Sequence, residues 1–153
     1  MSPIYGSGEI GLLDDLRRAQ YTYGVPGQGS KYTKTTAVIT AYSKIAYGRE
    51  IWVLLKDGTE AVFEEPDDLG ADNVTTRGDL EKYRADLYTF RRGKKNYIDD
   101  KAKVFGLIMG RCHPTMKSKV ESDQDFPDLE KNDDVVGLLK KLKKLAYSTG
   151  NNC

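Results

Sequence analysis

The sequence predicts a mainly α fold: a small helical domain with a long central helix and a disordered N-terminus. Apolar residues recur at three- and four-residue spacing in several stretches of residues 31–148, which aligns them on one face of each predicted helix. The chain has 153 residues, the length of one domain, and Leu, Ile, Val and Phe make up only 34 of them. Because large apolar side chains are this scarce, we expect a small core with flanking segments outside it.

The first 30 residues are expected to be disordered. They hold six of the fifteen glycines and two of the five prolines, with few large aliphatic side chains. Such a segment lacks the apolar area that offsets the entropy lost on ordering. One helical turn near Leu12 to Tyr21 is the regular structure predicted there.

The first helix of the domain is predicted from Lys31 to Tyr47. Its apolar residues recur at helical spacing, and Thr33, Thr35 or Thr36 is placed to cap its start.

Residues 50–63 allow two interpretations. Asp57-Gly58 lies between two β-prone apolar runs, which is the pattern of a hairpin with a type I′ turn. The alternative is a short helix that ends near Asp57-Gly58 and is followed by an extended segment. The local pattern alone favours the hairpin, although a single hairpin needs a helix to pack on.

The charge changes sign along the middle of the chain. Residues 57–76 contain seven acidic residues and no basic ones, and we expect them to form a solvated acidic linker. Residues 77–119 contain twelve basic and five acidic residues. The formal net charge of +1 therefore hides an acidic segment followed by a basic one.

The longest helical pattern runs from Asp79 to Cys112. Its apolar stripe begins with Leu80, Tyr83, Leu87 and Phe90 and resumes with Ile98, Phe105, Met109 and Cys112. Between these two parts lies Arg91-Arg92-Gly93-Lys94-Lys95. A glycine in a helix interior costs about 1 kcal/mol relative to alanine, so Gly93 is the predicted weak point. The pattern fits either one kinked helix or two consecutive helices.

Two further helices are predicted towards the C-terminus. Pro114 suits the first turn of a short helix, Thr115 to Val120. The last helix is capped by Asn132, Asp133 or Asp134, and its apolar face comprises Val135, Val136, Leu138, Leu139, Leu142, Leu145 and Ala146. We expect its four leucines to pack against Phe105, Ile108, Met109 and Cys112. Residues 149–153 are expected to fray.

Composition excludes several classes of protein. A net charge of +1 argues against a strongly cationic nucleic-acid binder. No apolar run approaches the roughly 18 residues of a membrane span, and Met1 to Leu12 does not resemble a secretion signal. We therefore expect a cytoplasmic protein without a membrane partner, with the nucleus as the alternative compartment. Cys112 and Cys153 are too few for a disulfide framework or a four-ligand zinc site.

No catalytic, cofactor or metal site is predicted, and no small-molecule substrate. Gly6-Ser-Gly8-Glu-Ile-Gly11 matches a dinucleotide-binding fingerprint, but too few residues precede it for the strand that this motif requires. The adjacent Cys112 and His113 cannot easily converge on one metal ion, so we expect a buried thiol and a surface imidazole. Paired acidic residues are expected to serve as linker and cap residues.

Two basic clusters are candidates for nucleic-acid binding. The first is Arg91, Arg92, Lys94 and Lys95, with Phe90 and Tyr97 on either side. Basic residues interleaved with aromatic ones can neutralise phosphates and stack on bases. The second is Lys140, Lys141, Lys143 and Lys144. The alternative for both clusters is a solvated helix face, because lysines near a helix C-terminus also interact favourably with its dipole.

Several segments occur in an order that carries further information. They are Lys31-Tyr-Thr-Lys-Thr-Thr36, Tyr47-Gly48-Arg49-Glu50-Ile51, Phe63-Glu-Glu-Pro66-Asp-Asp68, Asp79-Leu-Glu-Lys-Tyr83, Val104-Phe-Gly-Leu-Ile-Met-Gly110-Arg-Cys112, Met116-Lys-Ser-Lys-Val-Glu121 and Asp133-Asp-Val-Val-Gly-Leu-Leu-Lys140. In this order they resemble the N-terminal, capsid-like part of Gag in copia-type retrotransposons. The similarity covers residues 31–148.

The resemblance implies a helical, non-enzymatic protein that self-associates into a particle shell around its own RNA. It also implies that Glu50 to Leu55 is a short helix followed by an extended acidic linker. Gag proteins of this type usually continue with more capsid helices and often a Cys-x2-Cys-x4-His-x4-Cys zinc knuckle, so the chain looks like a truncated Gag.

Two functions are therefore expected. The first is a self-associating structural fragment, whose partners are copies of itself or longer Gag chains, with weak and non-specific RNA binding. The alternative is a small monomeric RNA-associated or regulatory module that uses the basic stretch 77–119.

Overall fold

A computed structural model of the chain describes residues 8–67 and 76–148, with side chains from residue 11 onward. Seven helices occupy these residues, and the one backbone pairing of β type is an isolated bridge, so the prediction of a mainly α fold is confirmed. The helices are α1 (Gly8–Arg18), α2 (Gln28–Tyr47), α3 (Arg49–Asp57), α4 (Arg77–Gly110), α5 (Pro114–Glu121), α6 (Phe126–Lys131) and α7 (Val135–Tyr147).

The prediction that residues 1–30 are disordered is wrong for residues 8–30, while residues 1–7 lie outside the described residues. Helix α1 is longer than the predicted turn, and Leu16 and Tyr21 are buried in the core. The Tyr21 amide donates to the Arg111 carbonyl and the Tyr21 carbonyl accepts from the His113 amide, both at 2.9 Å. These two hydrogen bonds form a parallel bridge to Cys112. Part of this order therefore comes from partners about 90 residues away, and the composition of the segment does not indicate them.

Helix α2 begins three residues before the predicted start. Thr33, Thr35 and Thr36 therefore lie inside the helix and do not cap it. Thr35 instead donates to the Gln20 carbonyl at 3.1 Å, and the hydroxyl groups of Thr36 and Tyr21 are hydrogen-bonded at 2.8 Å. These threonines attach the preceding segment to α2.

Helix α3 resolves the two interpretations of residues 50–63 in favour of the short helix. It ends at Asp57, and Gly58 follows with the left-handed φ of +71° that is common just after a helix. A type I′ hairpin turn also needs positive φ, so this glycine fitted both interpretations. The helix is preferred because it buries Ile51, Leu54 and Leu55 in the core.

The acidic linker has neither helix nor strand over residues 58–67, and residues 68–75 lie outside the described residues. It is not simply solvated. The Ala61 amide donates to the Tyr97 hydroxyl at 3.1 Å, and the Phe63 ring lies 5.4 Å from the Tyr97 ring. The Tyr97 hydroxyl donates to Glu60 at 2.8 Å. Residues 60–63 of the linker are therefore packed against α4.

Helix α4 continues through Gly93 as one helix, so the alternative of two consecutive helices is wrong. The Thr76 hydroxyl caps it by accepting from the Asp79 amide at 3.0 Å. A Cβ atom at Gly93 would lie 3.3 Å from Cε1 of Phe63, so this glycine leaves room for the linker. The buried residues of α4 all follow Gly93 and are Tyr97, Val104, Phe105 and Ile108.

The C-terminal helices largely follow the predictions. Pro114 occupies the first turn of α5, and the Asp134 carboxylate caps α7 by accepting from the Gly137 amide at 2.9 Å. Helix α6 was not expected; it places Phe126 and Leu129 in the core. Helix α7 packs against α2, α3, α4 and α6. Its residues Leu138, Leu139 and Leu142 belong to the same core cluster as Phe105, Ile108 and Cys112, with Leu145 and Met109 at the edge.

None of the helices in the described part of the chain is long and apolar enough to cross a membrane. The predicted frayed tail, residues 149–153, lies outside the described residues.

Candidate functional site

The N-terminal half of α4, residues 77–92, carries apolar side chains that the core does not use. They are Leu80, Tyr83, Leu87 and Phe90, and we refer to them as the apolar stripe. All four are partly exposed, and none belongs to the core cluster of the described residues or packs against it. Their spacing of three, four and three residues is that of the a and d positions of a coiled coil.

The first predicted basic cluster lies beside the end of this stripe. Arg91, Lys94 and Lys95 line one open cleft of about 270 Å³ together with Phe90, Ile98 and Asp99; we call it the basic cleft. The Lys94 ammonium group lies 5.7 Å from the centre of the Phe90 ring, and Lys95 pairs with Asp99 at 3.0 Å. Arg92 is not part of this cleft and donates to the Tyr88 hydroxyl at 3.4 Å. Three of the four predicted side chains are thus brought together.

The opposite side of the apolar stripe is acidic. Glu64, Glu65, Pro66 and Asp67 of the linker line an open cleft of about 490 Å³ together with Asp86, Thr89 and Phe90. We call it the acidic cleft. Phe90 forms part of both clefts, so an acidic and a basic surface flank one line of apolar side chains.

The second predicted basic cluster is divided by the structure. Lys141 pairs with Asp123 and, at 2.7 Å, with Asp125, and only 11% of its side chain is exposed. Partial burial alone would lower the pKa of Lys141, but its hydrogen bonds to the two aspartates raise it above the usual value. Lys141 therefore has a structural role, and its prediction as a nucleic-acid ligand is not supported. The remaining members, Lys140, Lys143 and Lys144, are exposed.

A third basic cluster surrounds the single tryptophan and was missed by the sequence analysis. The ammonium groups of Lys44 and Lys56 lie 4.2 and 4.6 Å from the centre of the Trp52 ring. The Arg49 guanidinium carbon lies 6.0 Å away. Lys56 follows Trp52 by four residues on one helix, a spacing that was visible in the sequence. Lys44 belongs to α2, so its approach depends on how α2 and α3 pack.

A further cleft of about 260 Å³ lies between α1 and α2. Its charged lining residues are Asp15, Arg18, Lys31 and Lys34. This surface was not predicted, because residues before Lys31 were expected to be disordered.

The structure supplies no evident chemistry at Cys112 and His113. The Cys112 thiol is buried and donates to the Ile108 carbonyl at 3.5 Å, and burial raises its pKa to about 12. A thiol that stays neutral at ordinary pH is a poor nucleophile. His113 is exposed, as predicted, and its ring accepts from the Thr115 amide at 3.4 Å. Both residues therefore have structural roles.

The acidic residues and the N-terminal glycine string are the other sequence patterns that were considered as sites. Within the described ranges, no three His, Cys, Asp or Glu side chains are grouped so that they could hold a metal ion. In the glycine string at the N-terminus, Gly8 and Gly11 lie inside α1, whereas residues 6–7 are outside the described residues.

Comparison with known proteins adds no family. No family model, curated protein or solved structure matches the chain.

Proposed function

We propose that the chain is a non-enzymatic, Gag-like structural protein that self-associates with copies of itself or with other Gag chains. The observation that carries this proposal is the apolar stripe on α4, which the core of the described residues leaves partly exposed. A helix with an apolar face outside its own core usually buries that face against a partner. The proposal places the chain in the cytoplasm, or in the nucleus, where RNA is also available.

Two features of the fold support the Gag-like part of the proposal. The resemblance implied a short helix at Glu50 to Leu55 followed by an acidic segment, and α3 is followed by such a segment. Two of the segments that resemble Gag, Met116 to Glu121 and Asp133 to Lys140, coincide with α5 and with the start of α7.

The self-association is tested by changing the apolar stripe at its centre. Leu87→Glu introduces a charge into the stripe, so we expect it to abolish association while the helical content stays unchanged. Ala85→Glu is the matched control, because Ala85 is exposed on the same helix and lies outside the stripe. Light scattering after size exclusion measures the mass of each protein. Equal masses for wild type and Leu87→Glu, at concentrations where wild type associates, would place the contact elsewhere.

RNA binding is the second candidate function, and the basic cleft favours it. Arg91, Lys94 and Lys95 gather beside the Phe90 ring, and a second cluster of cations surrounds Trp52. Cations beside exposed aromatic rings are typical of surfaces that bind single-stranded nucleic acid. Glu64, Glu65 and Asp67 of the linker lie across the apolar stripe from the basic cleft, so their charges reduce the attraction for phosphate.

RNA binding is measured by fluorescence anisotropy of a labelled single strand at several salt concentrations. We expect a Kd no tighter than roughly micromolar at physiological salt, with a shallow salt dependence set by about three or four phosphates. Changing Arg91, Arg92, Lys94 and Lys95 to Gln should abolish the binding. Changing Lys140, Lys143 and Lys144 to Gln is the control with a similar loss of charge. If only this control lost RNA, the basic cleft would be solvated surface.

A further inference from the structure

We propose that two copies of the chain pair in parallel through the N-terminal halves of their α4 helices. This inference rests on the proposed self-association and specifies its surface, its orientation and its register.

The apolar stripe fills two heptads. Leu80 and Leu87 occupy a positions, and Tyr83 and Phe90 occupy d positions. In a two-stranded coiled coil these positions form the seam, and the e and g positions lie on either side of it. The next a position is Lys94, and the next d position is Tyr97, which is buried and contacts Phe63. The seam therefore ends at Phe90, because after it Phe63 of the linker packs on the same face of the helix.

The flanking charges fit a second copy in one orientation. The g positions are Asp79 and Asp86, the e positions are Arg84 and Arg91, and all four residues are exposed. In a parallel pair each g residue faces the e residue five positions later in the second copy. Asp79 then faces Arg84 of the second copy, and Asp86 faces Arg91 of the second copy.

The antiparallel orientation brings like charges together. In that arrangement g residues face g residues and e residues face e residues. Aspartates would then oppose aspartates, and arginines would oppose arginines. The same side chains that stabilise the parallel pair thus act against the antiparallel one.

The two clefts extend this complementarity beyond the helix. The acidic cleft lies on the g side, where Glu64, Glu65 and Asp67 join Asp86. The basic cleft begins on the e side with Arg91 and continues past the end of the seam, where Lys94 occupies the next a position and Lys95 the b position. A twofold axis along the seam brings the basic side of each copy to the acidic side of the other. The contact is thus self-complementary, as a symmetric dimer requires.

The length of the seam limits the affinity. Two heptads bury a small area compared with a stable obligate dimer, so we expect a Kd of roughly micromolar or weaker. Such a contact suits an assembly in which many weak interfaces act together.

Charge reversal at one matched pair tests the register. Asp86→Arg and Arg91→Asp each create two repulsive contacts in a parallel homodimer, so we expect each variant to weaken self-association roughly tenfold. An equimolar mixture of the two variants restores both attractive contacts and should associate as wild type does. Arg92→Asp is the control, because Arg92 carries the same charge but lies at an f position, away from the seam. Sedimentation velocity measures all four samples.

Cysteine cross-linking tests the orientation. In a parallel pair the two Leu80 side chains face each other, whereas in an antiparallel pair Leu80 lies opposite Phe90. In a Cys153→Ser background, we expect Leu80→Cys to form a disulfide-linked dimer under mild oxidation. Ala85→Cys, at an f position, should not. Cys112 is buried and present in both proteins, so it cannot account for a difference.

The outcomes separate this inference from the proposed function. A wild-type chain that stays monomeric overturns both. A chain that associates, but shows no effect of Asp86→Arg and no Leu80→Cys cross-link, retains the proposed function and overturns the parallel α4 pair. Stronger association of Asp86→Arg alone would also overturn the parallel pair, because it indicates that g residues face each other.

Discussion

Tyr21 anchors the N-terminal segment to the core, and Tyr21→Ala measures its contribution to folding stability. The side chain is fully buried, its ring lies 5.7 Å from the Tyr32 ring, and its hydroxyl is hydrogen-bonded to Thr36 at 2.8 Å. Truncating a buried aromatic side chain to alanine typically costs about 3–5 kcal/mol through lost contacts and the cavity left behind. Since the change also leaves the Thr36 hydroxyl without this partner, we expect the loss of stability to lie in the same range.

Urea unfolding followed by circular dichroism and by Trp52 fluorescence gives the free energy of unfolding. Tyr21→Phe keeps the ring and removes only the hydroxyl, so it should cost about 1 kcal/mol. Tyr88→Ala is the matched control, because Tyr88 is 63% exposed on α4 and its loss should change stability by less than about 0.5 kcal/mol. A cost for Tyr21→Ala as small as that of Tyr88→Ala would mean that residues 8–30 do not dock on the core in solution.

Four further predictions concern the C-terminal helix, an ion pair, the buried thiol and a close helix contact. Leu142→Asp should unfold the protein in a thermal melt, because Leu142 is fully buried; the exposed neighbour Lys143→Asp is the control and should remain folded. Lys141→Met should raise the pKa of Asp123 in an NMR titration, because the hydrogen bond from Lys141 is the main reason that this pKa is low. An unchanged pKa of Asp123 would mean that the pair does not form. Thermal stability should fall as pH rises above 9.0, because the Cys112 thiol has a pKa of 9.0 in the unfolded chain and of about 12 in the folded protein. Cys112→Ala should reduce this fall. A variant with the same pH profile as wild type would show that the thiol is accessible in the folded protein. Gly29→Ala should lower the melting temperature, because the added Cβ would lie 2.5 Å from Cε1 of Tyr147 and would displace a ring whose hydroxyl donates to the Gly29 carbonyl.

Elements with strong local signals could be predicted from the sequence. Helix α7 has an apolar face at helical spacing and an aspartate cap, and α5 begins at a proline. Both signals depend on residues close together in the chain, so they were sufficient to predict these two helices without knowledge of the fold. The sequence did not decide whether α4 continues through Gly93. The Phe63 ring that packs against this glycine belongs to the linker, and this contact is not visible in the local pattern.

Elements that depend on distant partners could not be predicted. The order of residues 8–30 depends on the bridge between Tyr21 and Cys112 and on packing against α2, and no pattern near Tyr21 indicates either contact. The choice between hairpin and helix at residues 50–63 depended on the burial of Ile51, Leu54 and Leu55, since the local turn signal fitted both.

The charges of the candidate surfaces could be predicted from the sequence, whereas the arrangement of the charged side chains could not. The basic residues near Arg91 and near Lys140 were identified from the sequence. Their neighbours were not: Lys141 is paired because the turn before α6 brings Asp123 and Asp125 to it. Residues 64–67 of the linker and the basic cleft lie on opposite sides of the apolar stripe, and this depends on how these linker residues pack along α4.

Sedimentation equilibrium of the wild-type chain tests the central claim, self-association, most directly. Concentrations from roughly 1 to 200 micromolar bracket the expected affinity. We expect the weight-average mass to rise from that of the 17.1 kDa monomer towards that of a dimer, with a smaller rise at high salt because the flanking charges are screened. A mass that stays at the monomer value over the whole range would contradict self-association and leave RNA binding by a monomer as the function to test.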